Sequence, residues 1–290
     1  MAALTNTVTT EQVVTALDKE MIQNFKQDYD RLAELFRIAA PEIIPAGAAL
    51  YQYEITGALN DAEVGEGDEV PLSQYKVEKK PIGELEVKPY RKLTTAQAVL
   101  KTGFVNAVTK TDAKMLQDVR ADIIKDFFAY LDNGTATATG TNLQGALAYA
   151  DAVLGDKMEE NNDNDEAIFH FVNRQDIAGY LANANVETQT AFGLTYIKSF
   201  LGVEHIFVTS KVPEGTVYAT PAGNIHMYGA DFGALADTSL RYTTQDGSLI
   251  GVHHKPEYAR TSAETYVLTG AKMLAEVLDY IVKATIEEAI

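Results

Sequence analysis

Residues 111–134, TDAKMLQDVRADIIKDFFAYLDNG, constrain the fold more than any other stretch of the chain. Apolar side chains fall at Met115, Leu116, Val119, Ile123, Ile124, Phe127, Phe128 and Leu131. Spacings of three, four and seven gather them into one wide stripe along a helix. Thr111 is the expected N-cap, Asp112 meets the positive end of the helix dipole, and Asn133-Gly134 is the expected left-handed stop. About 21 residues at about 1.5 Å each give a rod of about 32 Å. Lys114, Asp118, Asp122 and Lys125 keep the opposite side wet. A rod of that length with a dry face requires a substantial partner to pack on, and Phe127 and Phe128 are the side chains expected to anchor it.

The rest of the chain is large enough to supply that partner. It has 290 residues, of which 46% are hydrophobic, enough for one large domain or two lobes. With no cysteine at all, it has no disulfide and no thiolate chemistry. A net charge of −17 argues against nucleic-acid binding, which calls for a basic face. No apolar run approaches the roughly 20 residues that span a bilayer, and the N-terminus carries no charged-then-apolar leader. The expectation is a soluble chain made in a reducing cytosol, with no membrane partner.

Taken in order, residues 8–40 have a helical pattern that Pro41 and Pro45 close. Phe25 and Tyr29 belong to its broken apolar stripe, which serves either as core or as an arm that docks on a partner. Residues 47–93 change character. YQYEI (51–55) alternates as a strand, an acid- and glycine-rich stretch follows, and residues 75–93 alternate again, with Pro81 and Gly83 marking a bend. These limbs form a long two-stranded hairpin, which is marginal by itself and has to rest on something else. Its charge is split. Asp61, Glu63, Glu66, Asp68 and Glu69 crowd the tip, and Lys76, Lys79, Lys80, Lys88, Arg91 and Lys92 follow on the return limb.

A short helix is expected at TTAQAVL (94–100), and a polar linker after the long helix at TATATGTNLQG (135–145). Beyond it the pattern predicts helices at 146–154, 174–183 and 194–200. Strands are predicted at 168–172, 203–209, 216–220 and 225–228, with Pro213-Glu214-Gly215 as a turn. Strand signals dominate from Leu240 onward, and 274–286 fits either helix or strand. The fold class is therefore α+β.

Motifs that carry chemistry are missing. There is no phosphate loop ending in Gly-Lys-Ser/Thr, no paired-histidine zinc helix and no nucleophile elbow. EENNDNDE (159–166) lacks the glycine and the bidentate glutamate of a calcium loop. His253 and His254 sit next to each other on a strand, pointing to opposite faces, which prevents easy chelation. His170, His205 and His226 have no Ser or Asp at a triad spacing. The reading assigns no catalytic residue, no metal and no cofactor.

The order of parts resembles the major capsid proteins of tailed bacteriophages, the Hong Kong ninety-seven fold shared with encapsulins. GEGDEVPLSQYKVEKKPIGELEVKPYRKLTTAQAVL is similar to the second half of that family's extended E-loop. LDNGTATATGTNLQGAL is similar to the turn after its spine helix, and IFHFVNRQDIAGYLANA to the start of its axial (A) domain. VEHIFVTSKVPEGTVYATPAGNIHMYG is similar to the later strands of that domain, and 249–283 to the return into the peripheral (P) domain. The likeness of layout covers nearly the whole chain.

The resemblance implies an N-terminal arm (1–46), an E-loop (47–93), a P domain with the spine helix (94–145), a mixed α/β A domain (146–245) and a P-domain return (246–290). It implies a non-enzymatic head protein that self-assembles, as hexamers and pentamers, into an icosahedral shell around double-stranded DNA held without specific binding. Its place would be the virion capsid, after assembly in the host cytoplasm. It also implies a portal, and a separate scaffolding protein, or none, rather than a fused one, because few residues precede the loop. The expected inter-subunit contacts are Glu66, Asp68, Glu69, Lys76, Lys79, Lys80, Phe25 and Tyr29. The arm is expected to touch a neighbour or scaffold, so that a chain lacking residues 1–30 would still fold. Lysine–asparagine cross-linking of shells is not expected, since no asparagine follows Asn224. The alternatives are an encapsulin-like compartment shell, separable by its cargo, and an acidic two-lobed hydrolase or ligand-binding protein using one of the histidines.

Overall fold

The computed structural model describes residues 10–38, 41–60, 65, 69–161, 167–182, 188–235, 240, 242–244 and 249–287. The elements run α1 (Thr10–Phe36), β1 (Glu42–Ile44), β2 (Ala49–Ala58), β3 (Gln74–Glu84), β4 (Lys88–Thr95), α2 (Ala96–Thr102) and α3 (Lys110–Leu131). Then come β5 (Ala136–Gly140), α4 (Leu143–Glu160), β6 (Ile168–Asn173), α5 (Arg174–Leu181), β7 (Thr188–Ala191), β8 (Leu194–Phe200) and β9 (Val203–Thr209). The last elements are β10 (Thr216–Pro221), β11 (Ile225–Ala230), β12 (Ile250–Glu257), β13 (Ser262–Thr269), β14 (Lys272–Ala275) and β15 (Val282–Ile286).

A seven-stranded sheet, ordered β5-β15-β10-β6-β9-β8-β7, is buried on both sides. Strand alternation explains how. On β6, Phe169 and Phe171 face α1 and α3, joined by Tyr196, Phe207 and Tyr218 from neighbouring strands. Val172 faces the other way with Ile197, Ile206, Val208, Val217 and Val282, under the Leu143–Ala146–Leu147–Ala150–Leu154 stripe of α4. The result is three layers, helix on sheet on helix. Sheets β12-β13-β4 and β1-β11-β14 flank α3, and β2-β3 pair only with each other.

The long helix is present, with its ends made differently from the expectation. A π-helical turn, Val105–Thr109, runs straight into α3, so Thr111 is interior rather than capping. Its hydroxyl donates back to the carbonyls of Ala107 (2.8 Å) and Val108 (2.9 Å). At the other end Asp132 stays right-handed, and Gly134 is not in the left-handed region. Glycine is needed there for space. A Cβ on residue 134 would lie 2.6–2.8 Å from atoms of Ile281.

Four further expectations are corrected. The amphipathic stretch α1 is core, with Met21, Ile22, Phe25, Tyr29, Leu32 and Phe36 all buried in the same cluster as α3. A chain cut through α1 would therefore lose core, and the expectation that it still folds is withdrawn. The hairpin ends at Glu84, because Lys88–Thr95 pairs with β13 instead. Residues 194–200 are a strand, whose Leu194, Tyr196 and Ile197 are buried against β9 and the cores on both faces. Residues 136–140, expected as linker, form a parallel edge strand with β15. Residues 274–286 settle as the end of β14, a short turn and β15.

β5 also presses hard on α4. A Cβ at Gly140 would sit 2.1 Å from the amide nitrogen of Ala146, a backbone atom that cannot swing away. Gly140→Ala is expected to destabilise the fold by about 1–3 kcal/mol, read as a lower denaturant midpoint. An unchanged midpoint would mean that β5 does not hold α4.

Candidate functional site

The β2–β3 hairpin is a separate two-stranded sheet that the described residues leave largely uncovered. Its root is held. Leu50 and Leu85 are buried with Tyr228, Ala230, Phe232 and Leu274, and Lys272 Nζ donates to the Glu84 carbonyl at 3.0 Å. Outward from there β2 and β3 pair from Ala49↔Glu84 to Ala58↔Gln74, with a bulge beside Leu50 and Tyr51. Because directly opposed residues share a face and alternate residues along a strand return to it, Tyr53, Lys79, Val77 and Tyr75 lie on one side of the ribbon. Tyr53, Tyr75 and Val77 on that side are 57–60% exposed, and Leu72 beyond it is 92% exposed. These side chains make an exposed apolar stripe on a two-stranded ribbon, a structure that is marginal by itself.

The residues expected at subunit contacts fall into three groups. Glu69, Lys76, Lys79 and Lys80 lie on the hairpin and are exposed. Lys76 pairs with Glu78 on its own strand, and Lys79 sits 3.7 Å over the Tyr51 ring, a cation–π contact. Glu66 and Asp68 lie outside the described residues. Phe25 and Tyr29 are turned into the chain's own core, 1% and 4% exposed. Phe25 meets Phe192 edge-on at 5.7 Å, so these two rings are not available to a neighbouring copy.

The structure also assembles a buried charge network that spacing did not reveal. His254 on β12 places Nδ1 against Asp18 of α1, and Nε2 3.2 Å from Asp112 of α3. Lys92 of β4 closes the circuit at 2.5 Å from Asp112, and the Thr243 hydroxyl donates to Asp18 at 2.9 Å. Burial pushes the His254 pKa down, but its hydrogen bonds to Asp112 and Asp18 more than reverse this and raise it to about 9. Burial likewise pushes Asp112 up, while His254 and Lys92 hold it below the usual carboxylate range. Two carboxylates and two cations thus cancel in a site that ties α1 to three other elements. A single ion pair in such a place would be costly, and the complete network is what makes the burial tolerable. Asp112 stands in the first turn of α3, as expected, and serves this network as well.

The remaining histidines show no catalytic constellation. His170 is 1% exposed, with Nδ1 3.2 Å from the Glu204 carbonyl, and burial lowers its pKa. His205 adopts a left-handed φ of 56° between Tyr196 (2.6 Å) and Arg37 (3.2 Å). Among the described residues no group of three or more His, Asp or Glu is placed to hold a metal ion.

No protein-family model matches the chain, and no curated protein matches it. Solved structures do. The cyanophage A-1(L) capsid aligns over 89% of this chain and 93% of its own, at 13% identity and a TM-score of 0.54. A Gordonia phage Cozz chain aligns over 86% and 84%, at 10% identity and a TM-score of 0.54. The mature capsid of bacteriophage PhiM1 aligns over 88% and 87%, at 8% identity and a TM-score of 0.53. At these identities the likeness is one of fold, and it runs through nearly the whole of each chain: this protein has the phage capsid fold of the Hong Kong ninety-seven type.

Proposed function

We propose that the protein is the major shell subunit of a phage head, assembling through copies of itself into a closed icosahedral capsid around double-stranded DNA. The observation that carries the reading is the β2–β3 hairpin, an exposed apolar ribbon on a chain whose whole length matches capsid subunits. Such a ribbon gains its missing contacts when laid across a neighbouring copy, with Tyr53, Tyr75 and Val77 buried and Lys76, Lys79 and Lys80 at the rim. Hexamers and pentamers, a portal and a separate scaffolding protein complete the proposal. Packaged DNA is held without specific contacts, since a subunit of charge −17 repels phosphate on balance. In this reading the long helix is the spine of a P domain, residues 146–245 form the A domain around the seven-stranded sheet, which β5 and β15 join from outside that range, and the chain performs no reaction.

Negative-stain microscopy of purified protein tests it. Closed shells are expected, and a discrete monomer or dimer under all assembly conditions overturns the reading. Shells that hold a cargo enzyme instead of genome and portal would mark a cellular compartment. Replacing residues 51–82 by a short turn should abolish shells while leaving the melting temperature within about 2 °C, because that segment adds little to its own subunit's core. Normal shells from that variant would show that the hairpin is dispensable.

A further inference from the structure

A cavity of about 450 Å³ opens past the C-terminal ends of β6 and β9, beside the β7–β8 turn and against α1 and α3. Those two strands run parallel, and open sheets hold ligands in the crevice outside the carboxyl ends of such strands. The volume lies within the range of about 300–1,000 Å³ usual for small-molecule sites. Its charge is opposite to that of the chain, which is −17 overall. Arg120, Arg174 and Lys211 line it, with Asp28 as the acid among the lining residues. Asp28 is taken by Arg120 at 2.5 Å, and Arg120 is still undercompensated. Its buried Nε has no hydrogen-bond partner, and burial lowers its pKa in spite of Asp28. Arg174 and Lys211 are exposed and make no ion pair among the described residues.

Ile124 and Phe192 give the cavity an apolar wall. Phe192 is held there against its backbone preference. With Gly193 it makes the two-residue turn between β7 and β8, at φ values of 51° and 83°. Asparagine is the usual first residue of such a turn, because a bulky side chain is strained in the left-handed region. The Phe192 ring meets Phe25 edge-on at 5.7 Å and lies 6.0 Å from the Arg120 guanidinium. Two further cations, Arg174 and Lys211, call for a compact head of about two negative charges, and the wall calls for an apolar body behind it. A phosphate monoester carries about −1.5 to −2 near pH 7 and offers oxygens that arginine grips in pairs. A monocarboxylate leaves one cation unmatched, and inorganic phosphate leaves the wall unused. We propose that this cavity binds a small organic phosphate monoester, its phosphate between Arg174 and Lys211 and its apolar part against Ile124 and Phe192. The cavity lies within one chain, so the proposal stands apart from the shell reading.

Phenyl phosphate is the probe, titrated by calorimetry into the full-length chain. Saturable one-to-one binding is expected, together with a rise in melting temperature. Benzoate and inorganic phosphate each carry half of the recognition and should bind about tenfold or more weaker. Arg174→Gln with Lys211→Gln should weaken phenyl phosphate about tenfold or more. Both positions are exposed, so the melting temperature without ligand should hold and report an intact fold. Ala121→Phe, at an exposed position of α3 that lines the cavity, fills the space and should also remove binding. No binding by wild type overturns the proposal, as does binding that survives either variant. Benzoate as tight as phenyl phosphate rules out a phosphate site, and inorganic phosphate as tight rules out the apolar body. An oligonucleotide that displaces phenyl phosphate would make the cavity a nucleic-acid contact, which overturns the proposal as well.

Discussion

Phe36→Ala is expected to lower the stability of the subunit by about 3–5 kcal/mol, the usual cost of truncating a fully buried phenylalanine. The ring is 0% exposed and sits where three elements meet. It stacks on Phe207 at 4.4 Å and on Phe171 at 5.8 Å, and meets Phe169 and Phe127 edge-on at 5.7 Å and 6.2 Å. Each aromatic pair adds about 0.5–1.5 kcal/mol beyond the area it buries. Because the neighbours come from rigid strands and from α3, the hole would collapse poorly, which favours the upper end of the range. The melting temperature should fall by about 10 °C or more. Phe127→Ala and Phe128→Ala act on the same cluster and should give unassembled or insoluble subunit. A Phe36→Ala chain that melts like wild type would mean that α1 is not part of the core.

His254→Ala should be comparably damaging, at about 3–5 kcal/mol, because it leaves Asp18 and Asp112 buried without the cation that bridges them. Its signature is in the pH profile. The folded pKa of about 9 exceeds the ordinary 6.5, so the stability this residue contributes is complete below about pH 6.5. It is lost as pH rises through 9, to a total of about 3 kcal/mol. Asp112 behaves oppositely. Its pKa is depressed, so its contribution is complete above about pH 4 and disappears as pH falls through the lowered value. Denaturant midpoints at pH 6, 8 and 10 should therefore decline for wild type and stay flatter for His254→Ala. Parallel profiles for the two proteins would show that His254 is not charged in the folded state.

The features legible in the sequence were those with a local period. The stripe of α3 is readable because eight apolar residues repeat at helical spacing, and β6, β9 and β10 because their residues are short apolar runs bounded by turn formers. β5 was not readable, since its apolar side is only the two methyls of Ala136 and Ala138, and it becomes a strand through its distant partner β15. α1 was ambiguous for a different reason, because an amphipathic helix looks the same whether its dry face meets its own sheet or another chain. Leu194–Phe200 was misassigned because its buried residues 194, 196 and 197 suit a helix face as well as a strand between two cores. The hairpin was visible as alternation flanking an acidic, glycine-rich stretch. The charge network was not visible. Asp18, Asp112 and His254 stand far apart in the chain, and only the tertiary fold brings them together.

The position of β15 sets a schedule for synthesis. This strand lies between β5 and β10 in the seven-stranded sheet, yet it is made after both. β5 hydrogen-bonds to the sheet only through β15, so residues 136–140 wait until residues 282–286 exist. At about 5–20 residues per second, roughly 140 intervening residues correspond to about 7–30 s on the ribosome. During that interval α4 has part of its sheet missing, and so does the end of the sheet where Gly215 meets Ile286 at 2.8 Å. A nascent chain, or one broken off early, therefore lacks the finished sheet, and under the proposed shell reading that would keep fragments out of the assembly.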